Sequence, residues 1–392
     1  MAPVLRAFLL LVGAGHSHLH LLAHAERLTA AGYQVTLVAP GDFRYSGVAS
    51  ASAAGDLSPQ RGQISVTQLA RAHGVDHVVG RLTDLDLARH RARTDFGAAL
   101  RWDVLSLNLG SVASSSGIQE IDPGVVRIKP LQDLAFLPSR VEAAIERAQR
   151  ECRSAEVTIV GGGASGIELA GHLSARGGLR VRLIEAGPTL LPQGPESARR
   201  QLQAVLNRRG VIVTTNSPVC RMASDAVHVS DGRVLFHDVA VLATGLAADP
   251  LVAELGLTAG RAGAGAGSGS GSGSGAGSGA GAGADGIPVS ATLQYLGASD
   301  VYAVGDCAHF TPSPLAKIGV HGVRQGPVLL DSLIRRAAGA PLPSFVPSPH
   351  PLQILDLGGG VGLAWRGQRW WCGRSARIAK RWIDRRWLAT YR

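Results

Sequence analysis

Cysteine is scarce, and no two cysteines are close: Cys152, Cys220, Cys307 and Cys372 are the only four, with no C-x-x-C among them. That spacing argues against a disulfide framework, a zinc site and a redox-active dithiol, and it suits a reducing compartment. Charge is thin as well. Charged residues are 17% of the chain, below the usual quarter or so, and mean hydropathy is +0.14, which fits a well-buried α/β enzyme and not a disordered chain. No apolar run approaches the eighteen or so residues of a membrane span. Residues 7–12 follow Arg6 and superficially resemble a signal-peptide core, but they run straight into a glycine turn and an amphipathic helix. A first β-strand is the better reading. At 392 residues there is room for two or three domains with real cores.

Acidic residues are also short, and the imbalance sits at one end. Residues 366–392 hold nine Lys/Arg and one acid, Asp384, so +8 of the net +10 lies there and the other 365 residues are close to neutral.

Glycine, by contrast, is placed with purpose. Residues 157–160 (Val-Thr-Ile-Val) read as a buried parallel strand, and Gly161-Gly162-Gly163 cannot continue it. From Ser165 to about residue 175, Ile167, Leu169, Ala170 and Leu173 recur at helical spacing. Strand, glycine turn and helix form a dinucleotide-binding fingerprint. Gly161 makes the tight turn, Gly163 admits a pyrophosphate, and Gly166 lets helix and strand pack closely. The pyrophosphate would rest on the unpaired N–H groups at the helix start, beside Ser165. A second strand at 179–184 ends in Glu185, about twenty residues past the last glycine, where an acid accepts the adenosine ribose hydroxyls. Glu185 favours NADH, while Arg180 and Arg182 nearby leave NADPH open.

A second unit opens the chain. Residues 8–12 are its strand, Gly13-Ala14-Gly15-His16-Ser17-His18 its turn, then a helix to about residue 31 and a strand at 34–38. His18 stands where the third glycine would be. No acid ends the second strand, since Asp42 comes two residues late. His16, His20 and His24 fall at i, i+4, i+8, but no Asp, Glu or Cys completes a cluster, so no metal is assigned.

Two such units suggest a two-dinucleotide flavoprotein, and further marks follow in order. Residues 103–111 are a strand ending in a small-residue turn at Gly110. Residues 239–242, followed by Ala243-Thr244-Gly245, are its counterpart in the second unit. Residues 300–306 give a strand whose terminal Gly305-Asp306 presents a carboxylate to a flavin ribityl chain. Between these, residues 259–286 alternate Gly with Ser or Ala and hold thirteen of the 51 glycines; they read as a flexible insertion inside a domain. Prolines at 341, 343, 347, 349 and 351 mark a boundary, and the tail beyond holds five of the six tryptophans. Projected as a helix, Trp371, Ser375, Ile378, Ala379, Trp382 and Ile383 share one face, and Arg374, Arg377, Lys380, Arg381, Asp384 and Arg385 the other. Such a helix suits either the surface of an anionic bilayer or packing within the protein. Nucleic-acid binding through the same charge has no recognition motif behind it.

With Tyr45-Ser46-Gly47, the run 316–327 beginning Ala316-Lys317-Ile318-Gly319, and Ile383-Asp384-Arg385-Arg386, the chain resembles the pyridine nucleotide-disulfide oxidoreductase superfamily. It is similar to the branch near type II NADH dehydrogenases, and most of all to the flavoprotein module fused ahead of selenide, water dikinase. It departs from that pattern at Ser50-Ala51, where Pro-Gly is usual, and at Ala316, where Pro is common; it has no kinase domain, so the residues support no direct selenium role. The resemblance implies an α/β fold of two Rossmann-like domains. An FAD-binding domain (residues 1–125 and 287–340) is interrupted by an NAD(P)H-binding domain (126–258), with a C-terminal subdomain at 341–392.

It assigns Gly13, Gly15, His16, Ser17, Gly110, Lys129, Gly305, Asp306 and Gly319 to FAD. Gly161, Gly163, Ser165, Gly166, Glu185 and Gly245 go to NADH or NADPH. Hydride would pass from NADH to flavin N5, which needs alignment and no acid or base. Glu168 would project toward the nicotinamide. The helix opening near Lys317 would stabilise charge on the reduced ring. With no dithiol, electrons would leave to an external acceptor, a quinone by resemblance, in a cytoplasmic enzyme peripheral to the inner face of the membrane. A homodimer is left open. The competing reading is an FAD- and nucleotide-binding redox sensor with little turnover. Sulfide:quinone oxidation would need paired cysteines at the flavin, and only Cys307 is near.

Overall fold

A computed structural model of the chain describes residues 7–258 and 286–392. The apolar strand Ala7–Val12 is buried on both faces from Leu9 onward, as flanking by parallel neighbours requires. It pairs in parallel with Tyr33–Ala39, Leu9 opposite Val35, and with Val104–Leu107, Leu10 opposite Leu105. Asp76–Val79 extends the sheet beyond Tyr33–Ala39, and Val301–Ala303 extends it beyond Val104–Leu107. The second sheet repeats this order in four of its strands, its outermost one coming before the unit instead of after it. Ala155–Val160 lies between Leu179–Ile184 and Val239–Leu242, with Ile212–Thr214 and Val126–Arg127 outside. An antiparallel meander interrupts each unit before its fourth strand, at Leu82–Asp86, Arg91–Thr94 and Ala99–Arg101 in the first. In the second it is Val219–Met222, Ala226–Val229 and Val234–Phe236.

Two expectations shift locally. The helix after the first turn is not continuous to residue 31: it is His16–Leu22, then Ala25–Ala30. The His24 ring takes the His20 carbonyl at 2.8 Å, and its backbone N–H turns to Leu21 O instead. An unbroken helix would have joined that N–H to the His20 carbonyl. The His20 and His24 rings still lie against each other, centroids 4.3 Å apart, across the break. The strand expected at 300–306 is only Val301–Ala303, because the chain turns at Gly305 (φ +71°) into a short 3-10 turn, Gly305–Cys307.

The tail forms an antiparallel sheet, Gln353–Asp356, Gly362–Arg366 and Arg369–Gly373, then the helix Arg374–Ala389. The helix packs within the protein, but not through the apolar face of the projection. Lys380 and Asp384, with Ala376 and Leu388, face inward, whereas Ile378 and Trp382 are 67% and 61% exposed. Buried apolar side chains form two clusters, one around each sheet. Leu355, Leu363 and Trp365 of the tail sheet join the second, and Leu388 and Tyr391 the first, so the tail spans both. Among the described residues no helix is long and apolar enough to cross a membrane. The insertion expected at 259–286 falls, but for its last residue, outside the described residues.

Candidate functional site

The second glycine turn behaves as its spacing implies. Gly161 holds φ +119°, and a Cβ there would sit 2.3 Å from the Ala243 carbonyl oxygen. A Cβ on Gly166 would sit 2.1 Å from the Gly161 carbonyl, so only glycine lets the helix Ala164–Leu173 approach the strand. Gly163 is different. Nothing lies within 4 Å of where its Cβ would be, so open space stands at the helix N-terminus. Glu185 accepts the Gly162 and Gly187 N–H groups at 2.6 and 2.7 Å, so the acid also fastens the loop. Gly161, Gly163 and Glu185 line a cavity of about 1050 Å³ that also includes Ser165, Gly245 and Lys317.

The first turn is built by other means. A Cβ on Gly13 would meet the Asn108 carbonyl oxygen at 2.4 Å, and one on Gly15 the Asn108 side chain at 2.3 Å. His18, in the third-glycine place, is fully buried between turn and sheet. Burial pushes its imidazole down to about 4 and keeps it neutral. Gly13 O can only accept, so Nδ1–H donates to it at 2.6 Å and Nε2 accepts from the Ser106 hydroxyl at 2.8 Å. Ser17 donates to the Gly322 carbonyl at 2.6 Å, which ties the first helix to Gly319–Ala337. Gly13, Ser17 and Gly166 therefore shape the turns and line neither cavity.

A second cavity of about 470 Å³ collects Gly15, His16, Gly110, Lys129, Gly305, Asp306, Lys317, Gly319 and Glu168. Asp306 Oδ2 accepts from Lys129 Nζ at 2.8 Å and Ser111 Oγ at 2.7 Å. Burial alone would raise this carboxyl, but the ammonium and hydroxyl outweigh it and hold it below its usual range. Lys317 donates to the Asp306 carbonyl oxygen at 2.6 Å, one residue before the N-cap of Gly319–Ala337. The two cavities meet: Ala164, Ser165, Leu246, Lys317 and Ile318 line both.

Phe43, Tyr45, Lys380, Asp384 and Trp387 join the predicted residues on this wall without having been assigned to the site. His16, pushed down to about 4 chiefly by burial, lies edge-on to Phe43 and Tyr45 and 5.0 Å from the Trp387 ring, which stacks on Tyr45 at 4.4 Å. Lys380 Nζ donates to Gly47 O at 2.6 Å and Asp384 Oδ2 at 3.0 Å, and Tyr45 donates to Asp384 Oδ1 at 2.9 Å. Glu168 accepts the Asp356 N–H at 2.8 Å beside them. Lys380 and its acids do not shift as a simple pair. Burial lowers the ammonium, but attraction to Glu168 and Asp384 outweighs it and raises Lys380, while burial raises both acids. One cation serves two buried carboxyls that repel each other, so the cluster keeps its ammonium and drives its acids toward neutrality. The i, i+4 spacing of Lys380 and Asp384 was the visible signal; Gly47 and Tyr45, more than 330 residues away, were not.

Residues 9–266 match the pyridine nucleotide-disulphide oxidoreductase family. The chain belongs to that family, flavoproteins of two dinucleotide-binding domains whose cofactors are FAD and NADH. It is 23% identical to a type II NADH:quinone oxidoreductase of Staphylococcus epidermidis, covering 97% of this chain and 95% of that protein. It is 27% identical to the demethylphylloquinone reductase NdbB of Synechocystis sp. over 54% of the chain, a match spanning 47% of that protein's length. NDH2 of Plasmodium falciparum, solved in complex with NADH, superposes with a TM-score of 0.81 at 14% identity, covering 98% of this chain and 97% of that one. All four cysteines of this chain are free thiols.

Proposed function

We propose that this protein is an FAD-dependent NADH dehydrogenase of the type II kind that hands electrons to a quinone. The observation that carries this reading is the seam of five residues at which the two cavities meet, since hydride transfer needs two cofactors in contact and no protein acid or base. FAD belongs in the smaller cavity, lined mainly by residues 1–125 and 287–340, and NADH in the larger, lined mainly by 126–258; residues 341–392 close the FAD side. FAD, when bound, accepts a hydride from NADH and returns two electrons to the acceptor.

The chain's own residues do the rest. Gly161, Gly163, Ser165 and the helix start hold the NADH pyrophosphate, and Glu185 the ribose, with NADH preferred. Lys129, Asp306, Gly15 and Gly110 hold FAD. Lys317 and the N-terminus of Gly319–Ala337 stabilise negative charge in the FAD cavity. Reducing a quinone to a hydroquinone takes two protons. Glu168, raised by burial, is the carboxyl at that cavity placed to hand on a proton, and the Lys380–Asp384 pair fixes its surroundings. The exposed Ile378 and Trp382, flanked by Arg374, Arg385 and Arg386, suit peripheral contact with an anionic bilayer, where quinones dissolve.

The test is a visible spectrum of the FAD-loaded protein under anaerobic conditions. NADH should bleach the flavin band, NADPH less readily, and a short-chain quinone should restore it. A flavin that neither nucleotide reduces would sink the dehydrogenase reading. It would favour the redox-sensor alternative, for which the missing acid after Tyr33–Ala39 is the specific observation.

A further inference from the structure

A third hollow, of about 350 Å³, shares with the FAD cavity only the Asp384 side chain. Its walls mix apolar residues (Val48, Leu57 and Leu388) with the arginines Arg61, Arg381 and Arg385. The charges do not balance. Asp384 is already met by Lys380 and Tyr45. Arg381 is turned to Asp356 at 3.4 Å. Arg392, also at the rim, donates to the backbone carbonyls of Gln60, Arg61 and Gln63, which fastens the turn Pro59–Gly62 to the end of the chain's last helix. Arg61 and Arg385 make no ion pair with any described residue.

Arg61 and Arg385 both line the hollow and both are exposed, so an anion seated there would meet two guanidinium groups that no described carboxylate neutralises. A bare anion would have no use for Val48, Leu57 and Leu388. An amphiphile would, because its phosphate takes the arginines while its glycerol and first methylenes cover the apolar wall. The same helix carries exposed Ile378 and Trp382 on the adjoining face, so the hollow opens beside the surface assigned to the bilayer.

We infer that this hollow binds the phosphate head group of a single anionic phospholipid, clamped by Arg61 and Arg385. The inference rests on the peripheral-membrane reading for its source of lipid but concerns a site of its own. The test uses FAD-loaded protein and dihexanoyl phosphatidylglycerol below its micelle concentration, titrated calorimetrically, so no bilayer is needed. One lipid should bind per chain. Inorganic phosphate should bind at least tenfold more weakly, and Arg61→Gln and Arg385→Gln should each weaken the lipid about tenfold, the worth of one charge-assisted contact. Arg61→Lys should recover part of the loss, and FAD absorbance checks folding of every variant. Unchanged affinity in both glutamine variants, or phosphate binding as tightly as the lipid, overturns the inference. Flotation with phosphatidylglycerol vesicles runs alongside. Protein that floats but binds no monomeric lipid retains the membrane reading and refutes the site. Protein that binds monomeric lipid but does not float supports the site and refutes the membrane reading.

Discussion

Lys380→Met keeps the length of the side chain and removes a buried ammonium held by Gly47 O at 2.6 Å and Asp384 Oδ2 at 3.0 Å. Breaking a buried pair costs about 3–5 kcal/mol when the surviving charge must stay charged. Here the survivor has an escape. Burial already raises Asp384 and Glu168 above the usual carboxylate range, so without the ammonium Asp384 takes up a proton. An acid whose folded pKa exceeds its unfolded value loses stability as pH climbs from the unfolded to the folded value, at about 1.4 kcal/mol per unit. The penalty of Lys380→Met should therefore be about 1–3 kcal/mol at pH 5, where it reflects mainly the orphaned Gly47 carbonyl. At pH 8 it should grow to about 3–5 kcal/mol. Urea midpoints followed by tryptophan fluorescence at the two pH values measure the difference. Adding Asp384→Asn to Lys380→Met should restore about 1.5 kcal/mol or more at pH 8 and little at pH 5. Equal penalties at both pH values, or strictly additive single variants, would refute the coupling.

Four further variants test the site. Gly163→Ala should leave the unfolding midpoint within about 0.5 kcal/mol of wild type yet raise the KM for NADH. Gly166→Ala, 2.1 Å from a carbonyl oxygen, should cost about 1–3 kcal/mol or more in the same denaturation assay. His18→Leu strands the Gly13 carbonyl and the Ser106 hydroxyl, about 1–3 kcal/mol each, and the protein should purify with less FAD. Glu168→Gln should leave anaerobic flavin reduction by NADH within about threefold while slowing quinone reduction about 100-fold. Wild-type quinone reduction should fall as pH rises through the raised pKa of Glu168, and stopped-flow profiles of the variant should lack that limb.

What the sequence made legible was what neighbouring residues decide. The strands Leu179–Ile184 and Val239–Leu242 have the bounds read from the sequence, and Gly161 and Gly166 make the close approaches their spacing implies while Gly163 leaves open space. The break at His24 was hidden because it depends on a side chain competing with the backbone for one carbonyl. The tail shows the limit of periodicity most plainly. A helical projection separates an apolar face from a basic one, but it does not say which is buried. Lys380 and Asp384 turn inward because they neutralise each other and find Gly47 and Tyr45, contacts that no local pattern encodes. His18 was visible as a missing glycine, but its partner Ser106 was not.

The two units share a strand order but differ in how their turns are finished, and the difference has a consequence for exchange. The second turn leaves open space at Gly163 and gives onto the larger cavity, as a nucleotide that must enter and leave at every turnover requires. The first turn is locked by Asn108 and His18 and lacks an acid for the ribose, so that end of FAD has one fewer anchor. The C-terminal helix supplies another. Trp387, stacked on Tyr45 and close to His16, walls the FAD cavity from a segment that comes after both units in the chain. If retention of FAD depends on that wall, Trp387→Ala should lose FAD on gel filtration and show a Kd for FAD at least tenfold higher by fluorescence quenching, the loss of roughly one aromatic side chain's buried contact. NAD⁺ affinity, set by the other cavity, should stay within about twofold. A variant that keeps FAD as tightly as wild type would place retention in the glycine turn and Asp306 alone, and the helix would then serve the acceptor side only.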